Sequence, residues 1–141
     1  MIRNYQSSDI EQVIQIWLEA SIKAHHFIPE EFWQSQIDNM RNIYLPSSEV
    51  YVFELDSSVA GFYALYEDKL AAIFVSPDKK HRGIGKQLIE HAKQRRTTLT
   101  LNVYKENQAS YQFYLSQGFK IETEQADPHT EHLEYVMCYQ S

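Results

Sequence analysis

Two glycines one residue apart, Gly83 and Gly85, stand in the basic run Lys79-Lys80-His81-Arg82-Gly83-Ile84-Gly85-Lys86, just behind Leu70 to Val75 and Ser76-Pro77. The chemistry that suits such a turn is anion binding. A helix starting there presents unpaired N–H groups and a partial positive charge, which favour a phosphate or pyrophosphate. Glycine lets those N–H groups approach the anion with no Cβ between them. Lys79, Lys80, Arg82 and Lys86 add local positive charge. Two common nucleotide loops do not fit. A P-loop ending at Gly85-Lys86 would need glycine in place of Lys80 and a hydroxyl in place of Gln87. A dinucleotide loop would need its third glycine where Leu88 stands. Alone, the turn reads equally well as a helix cap without a ligand.

A second tract carries polar groups at fixed spacing: Asn107-Gln108-Ala109-Ser110-Tyr111-Gln112-Phe113-Tyr114-Leu115-Ser116-Gln117-Gly118-Phe119. Asn107 is a good helix N-cap and Gly118 a good left-handed stop. His129 and His132 lie three apart in a polar stretch, but no cysteine or acid at ligand spacing completes a zinc site, and no metal is expected. The lone cysteine, Cys138, reads as a small buried apolar residue and fits a reducing compartment.

The elements that must position these groups follow from periodicity. Met1 to Gln6 reads as a short strand, and Ser8-Asp9-Ile10-Glu11 has the spacing of a capping box. Ile10, Val13, Ile14, Trp17 and Leu18 then recur on one helical face, through about Lys23. A second helix is expected from Pro29 to about Tyr44, with Leu45-Pro46-Ser47-Ser48 as a loop. Val50 to Leu55 and Val59 to Tyr66 read as strands joined by Asp56-Ser57-Ser58. The apolar run Leu70 to Val75 reads as a central strand buried on both faces. Gly83 to Arg96 reads as a helix, Thr98 to Tyr104 as a strand, and Asn107 to Gln117 as a helix. Phe119 to Glu124 and Leu133 to Tyr139 close the chain as strands. The order is β-α-α-β-β-β-α-β-α-β-β, an α/β (α+β) domain spanning residues 1–141 with no internal repeat.

Composition narrows the class. The chain has 43% hydrophobic and 23% charged residues, an ordinary globular balance. A formal charge of -6 argues against broad nucleic-acid binding, which needs Lys and Arg to neutralise phosphates. No apolar run reaches the length of a membrane span and no signal-peptide pattern stands at the start, so a cytoplasmic protein is expected.

The motifs together resemble the GNAT N-acetyltransferase superfamily. Lys80-His81-Arg82-Gly83-Ile84-Gly85 is similar to its acetyl-CoA signature Gln/Arg-x-x-Gly-x-Gly/Ala, with lysine at the first position. The Asn107 to Phe119 tract is similar to its Asn-x-x-Ala-x-x-Phe-Tyr-x-x-x-Gly-Phe segment, with Ser110 for the usual alanine. Gly61, in Val59-Ala60-Gly61-Phe62, matches its third-strand pattern. The resemblance implies a mixed sheet of six to seven strands flanked by about four helices. It implies acetyl-CoA as co-substrate. Backbone N–H groups of His81, Arg82, Gly83, Ile84, Gly85 and Lys86 would hold the pyrophosphate, and Ile73, Phe74 and Val75 would pair with the pantetheine like an added strand. Amides near Phe74 would polarise the thioester carbonyl. Asn107 would steady the pantetheine arm, with plain N-capping as its alternative. Tyr114 would touch the cofactor and act as the acid, because a phenol of reference pKa about 10 holds a proton that it can share with a departing thiolate of about 8.5.

The resemblance implies a primary amine as acceptor, attacking directly in a ternary complex. A protein lysine, a peptide N-terminus and a small amine all stay open, as does a homodimer. No general base stands out. Many relatives carry an acid on the fourth strand, where this chain has Ala71 and Ala72, leaving proton removal to water or to Glu67, Asp68, His25 or His26. A small bacterial subgroup shares Trp17-Leu18-Glu19-Ala20-Ser21 followed by His25-His26-Phe27, which makes His25 the first choice for a catalytic proton acceptor, against an ordinary structural histidine. Two rivals remain: a non-catalytic acyl-CoA-binding regulator and an aminoacyl-tRNA-acetylating toxin. The second would favour a basic surface.

Overall fold

The computed structural model describes residues 1–141, and its elements follow the expected order. The strands are β1 (Ile2–Asn4), β2 (Glu49–Leu55), β3 (Ser58–Tyr66), β4 (Lys69–Val75), β5 (Thr98–Tyr104), β6 (Lys120–Ala126) and β7 (Leu133–Gln140). They form one seven-stranded sheet in the order β1-β2-β3-β4-β5-β7-β6. Every neighbouring pair is antiparallel except β4 and β5, which run parallel.

Helix α1 (Ile10–Ala24) covers one face of this sheet and α5 (Ile84–Lys93) the other. The stripe Val13, Ile14 and Trp17 of α1 packs in one core with Val50, Val52, Phe62 and Ala64. Ile84, Leu88, Ile89 and Ala92 of α5 pack in a second core with Tyr63, Leu65, Leu99 and Leu101. Burying each large aliphatic side chain contributes roughly 1.5–3 kcal/mol. Gly61 permits the close packing under α5. A Cβ there would lie 2.9 Å from the Phe74 carbonyl oxygen and 3.3 Å from both Ile84 and Leu88 side chains. No helix is long and apolar enough to cross a membrane.

Three expectations need correction. The capping acid before α1 is Asp9, not Glu11. Its Oδ2 accepts the Gln6 N–H at 2.8 Å, while the Arg3 guanidinium grips both carboxylate oxygens at 2.8 and 2.9 Å. Asp9 is 4% exposed, so its charge needs that partner, and the Arg3 bond holds its pKa below the usual carboxylate value.

The second helix is broken and longer than expected. It runs as α2 (Glu30–Ser35), α3 (Ile37–Asn39), a π-helical turn (Met40–Tyr44) and α4 (Leu45–Ser47). Pro46 does not end it, because the turn before it is widened: the Leu45 N–H bonds to Met40, five residues back. A wider turn eases the clash that a proline ring makes with the carbonyl four residues earlier.

Strand β4 is not buried on both faces. Only Leu70 is fully buried, and Ala72 to Val75 are half-exposed. The reason is β5, which meets β4 at Lys69↔Thr100 alone and then diverges. The apolar run lines a cleft instead of filling a sheet.

Candidate active site

The divergence of β4 and β5 leaves the outer edge of β4 without strand partners from Ile73 to Val75, while its inner edge stays paired to β3 through Tyr63↔Ile73, Phe62↔Phe74 and Gly61↔Val75. Beyond Val75 the chain is pinned by Ser76 N–H to the Ala60 carbonyl at 2.8 Å and turns through a short 3₁₀ segment, Pro77–Lys79. Ser76 Oγ donates to Asp78 at 2.5 Å, which holds that carboxyl below its ordinary pKa. His81 and Gly83 then take positive φ, 65° and 78°. Gly83 is the left-handed N-cap of α5, and nothing lies within 4 Å of where its Cβ would be. Its constraint from the protein is conformational, since a side chain is disfavoured at that φ.

The first helical bond of α5 is Gln87 N–H to the Gly83 carbonyl at 3.1 Å. The N–H groups of Ile84, Gly85 and Lys86 therefore have no partner within the helix. His81, Arg82 and Lys86 are exposed around them, and Ile84 is buried as the anchor. The free donors lie just past the open end of β4, beside the unpaired backbone of Ile73 to Val75.

Across the cleft stands α6 (Gln108–Ser116). Asn107 is its N-cap, with Oδ1 accepting the Ser110 N–H at 3.3 Å. Tyr114 lies at the other end of α6, half-buried against Phe113 and Phe119, and burial raises its phenol above the ordinary tyrosine value. Gly118 ends the helix at φ 91°. An open recess of about 390 Å³ lies where Lys23 and Ala24 of α1 and Lys80 of the basic turn face Glu106 to Ser110. Sequence reasoning missed Lys23 and Lys80 as groups facing this recess, because only the closure of α1 over the cleft brings them there.

His25 sits in a setting that the sequence did not suggest. It is 7% exposed, stacked on Trp33 at 5.1 Å and edge-on to Phe27 and Tyr104. Its Nε2 lies 3.2 Å from Asn107 Nδ2. The Ser110 bond orients the Asn107 amide, so Nδ2 must donate and Nε2 must be the unprotonated nitrogen. Burial pushes the imidazole down to about 4, which disfavours His25 as a proton acceptor at neutral pH.

The other base candidates are dispersed. Glu67 and Asp68 lie before Lys69, at the closed end of β4, where they bond Arg96 and the Thr100 amide. His26 is exposed. His132 packs on Phe27 at 5.1 Å and approaches Glu106 at 3.9 Å, while His129 is exposed. No three His, Cys, Asp or Glu side chains gather as metal ligands. Cys138 is half-buried rather than buried. Sequence reasoning also missed Glu134 on β7, 6% exposed and held by Asn102 at 3.2 Å and Gln125 at 2.7 Å. A charged residue at the inward position of an alternating strand was the available signal.

A parallel strand pair opened beside a bare helix N-terminus is the architecture of acyltransferases that draw on a CoA thioester. Residues 46–121 match the acetyltransferase (GNAT) domain, and the chain belongs to that family. It is an acetyl-CoA-dependent N-acetyltransferase. It is 39% identical over 122 residues to the peptidyl-lysine N-acetyltransferase YiaC of Escherichia coli (strain K12), covering 86% of this chain and 84% of that one. It is 31% identical over 121 residues to the peptidyl-lysine N-acetyltransferase YjaB of Salmonella typhimurium, covering 85% and 83%. The solution structure of apo YjaB from Escherichia coli matches with TM-score 0.86 at 27% identity, over 99% of this chain and 96% of that one.

Proposed function

We propose that the chain acetylates the ε-amine of lysine in proteins or peptides. The observation that carries this reading is the extent of the likeness to YiaC. It runs through 86% of the chain and so reaches well outside residues 46–121, into segments beyond the cofactor cleft.

The cleft suits acetyl-CoA in its parts. The free N–H groups of Ile84 to Lys86, with His81, Arg82 and Gly83, suit the pyrophosphate, and the unpaired edge at Ile73, Phe74 and Val75 suits the pantetheine. An amide near Phe74 polarises the carbonyl. The lysine nitrogen, as the free amine, bonds to the carbonyl carbon while the carbon–sulfur bond breaks. Sulfur leaves with the electron pair and receives the Tyr114 proton. The amide nitrogen sheds one proton, which returns to the phenol through water.

His25 serves as a positioning residue. To act as a base it would have to give up the hydrogen bond from Asn107 and accept charge in a buried site. A test is to supply acetyl-CoA with an N-terminally blocked lysine peptide and with a lysine-free peptide bearing a free N-terminus. CoA release and mass gain on the first are expected. Acetylation of the second alone would replace lysine by an α-amine, and no CoA release with either would favour the binding regulator.

A further inference from the structure

Glu134 is a buried carboxylate with no cation. It is 6% exposed, its Oε2 accepts from two neutral amides, Asn102 and Gln125, and no lysine, arginine or histidine comes within 4.0 Å to form an ion pair with it. Buried carboxylates are ordinarily matched by a positive charge, because desolvation costs more than amide hydrogen bonds return. A glutamate left in this state is set up for a cation that arrives from outside.

Its position says which cation. Glu134 is the register partner of Tyr104, the last residue of β5, at the end of the strand that has diverged from β4. Tyr104 packs edge-on against His25 at 5.2 Å and Phe27 at 5.6 Å, and His25 in turn meets Asn107 at the start of α6. The carboxylate thus belongs to the open end of the cleft, on the sheet face where α1 packs. It lies one side chain below the surface, since Asn102 and Gln125 are both exposed. Phe27, Tyr104 and His132 form an aromatic wall beside it, with ring centroids 5.1 to 6.5 Å apart. The Asp127–Glu131 loop is tied to that wall, because Tyr104 donates its hydroxyl proton to Asp127 and receives Thr130 Oγ1 at 3.4 Å. An aromatic wall suits a methylene stem, and an amide-braced carboxylate suits a primary ammonium at its tip.

We infer that Glu134 is the acceptor-recognition residue, receiving the ammonium of the incoming lysine while Phe27, Tyr104 and His132 flank its stem. The inference rests on the lysine reading above. Asn102 and Gln125 aim the carboxylate. The captured ammonium gives one proton to solvent water before attack, so Glu134 acts on capture and placement and leaves the acid role of Tyr114 untouched.

The test uses the full chain, acetyl-CoA and an N-terminally blocked lysine peptide. Glu134→Gln keeps an acceptor oxygen for the two amides and removes only the charge. KM for the peptide should rise about ten- to a hundredfold, the range expected when a charge-assisted hydrogen bond is lost. KM for acetyl-CoA and the melting temperature should stay near those of the parent. Glu134→Asp, which keeps the charge on a shorter stem, should recover much of the peptide KM and guards against a loss of fold in the Gln variant. Peptide KM unchanged in both variants, or raised equally in both, would overturn the inference and leave lysine acetylation standing. Failure of the parent protein to acetylate any lysine peptide would overturn both.

Discussion

His25 and Asn107 are 82 residues apart in sequence and meet through a 3.2 Å hydrogen bond that ties the end of α1 to the start of α6. Asn107 uses its oxygen to cap α6 and its amide hydrogen to hold the imidazole. The helix carrying Tyr114 is thereby fixed to the segment that leads into Phe27 and the acceptor side. Protonating His25 at Nε2 would place two donors face to face, so this contact exists only with the neutral ring.

A stability limb in acid follows. The folded pKa of His25, about 4, lies below the reference value of 6.5. The unfolded chain therefore takes up this proton first as pH falls. The stability contribution is complete above pH 6.5 and is lost as pH drops through 6.5 toward 4, by roughly 3 kcal/mol at most. Urea denaturation of parent and His25→Gln between pH 4.5 and 7.5 checks this. Glutamine can still accept from Asn107 and does not titrate, so its curve should be flatter in that window. Identical pH dependence in the two proteins would remove His25 as the source.

Replacing Gly85 separates packing from ligand approach. A Cβ at Gly85 would meet Phe113 at 3.6 Å and Val75 at 3.8 Å, ordinary contact distances. Gly85→Ala should fold and melt close to the parent. Gly85→Val places methyls among the N–H groups that open α5 and should sharply weaken acetyl-CoA binding by calorimetry. Gly83→Val adds backbone strain, on the order of 1–2 kcal/mol for a left-handed residue, and should also melt lower. Unchanged acetyl-CoA affinity in a folded Gly85→Val would take this turn out of the binding site.

Tyr114→Phe keeps the ring packed on Phe113 and Phe119 and removes the donor. Acetyl-CoA affinity should hold while kcat falls about 10²–10⁴-fold, the usual worth of general acid catalysis. Full turnover in the Phe variant would show that solvent reprotonates the thiolate.

Much of this site was legible in sequence wherever local rules govern it. The glycine turn, the Asn107 cap and the succession of strands and helices along the chain follow from residue type and spacing. What escaped depends on partners that periodicity cannot supply. The half-exposure of β4 comes from the divergence of β5, the setting of Pro46 from a π-turn upstream, and the low pKa of His25 from Trp33, Phe27 and Tyr104. Glu134 did leave a local trace, an acid in phase with Val136 on one face of β7, but only the sheet shows that no cation answers it.

The pH dependence of turnover distinguishes a histidine base from loss of the lysine proton to solvent. If His25 took the acceptor's proton with an ordinary titration, kcat/KM would rise through pH 6.5 and level off by about pH 8. Burial has moved that titration to about 4, so no histidine limb is expected between pH 5.5 and 8. A lysine of reference pKa about 10.4 is almost wholly protonated in this range, and its reactive fraction grows roughly tenfold per pH unit. Tyr114, raised above its ordinary value, keeps its proton throughout and brings no descending limb below pH 10. The profile should therefore climb steadily from pH 6.5 to 9.5 with a slope near one on logarithmic axes. His25→Gln should lie parallel to it and lower, because a weaker tie to Asn107 misplaces α6 without changing what titrates. Measuring kcat/KM for a blocked lysine peptide across that range in both proteins decides the matter. A parent plateau above neutrality that disappears in His25→Gln would restore His25 as the base.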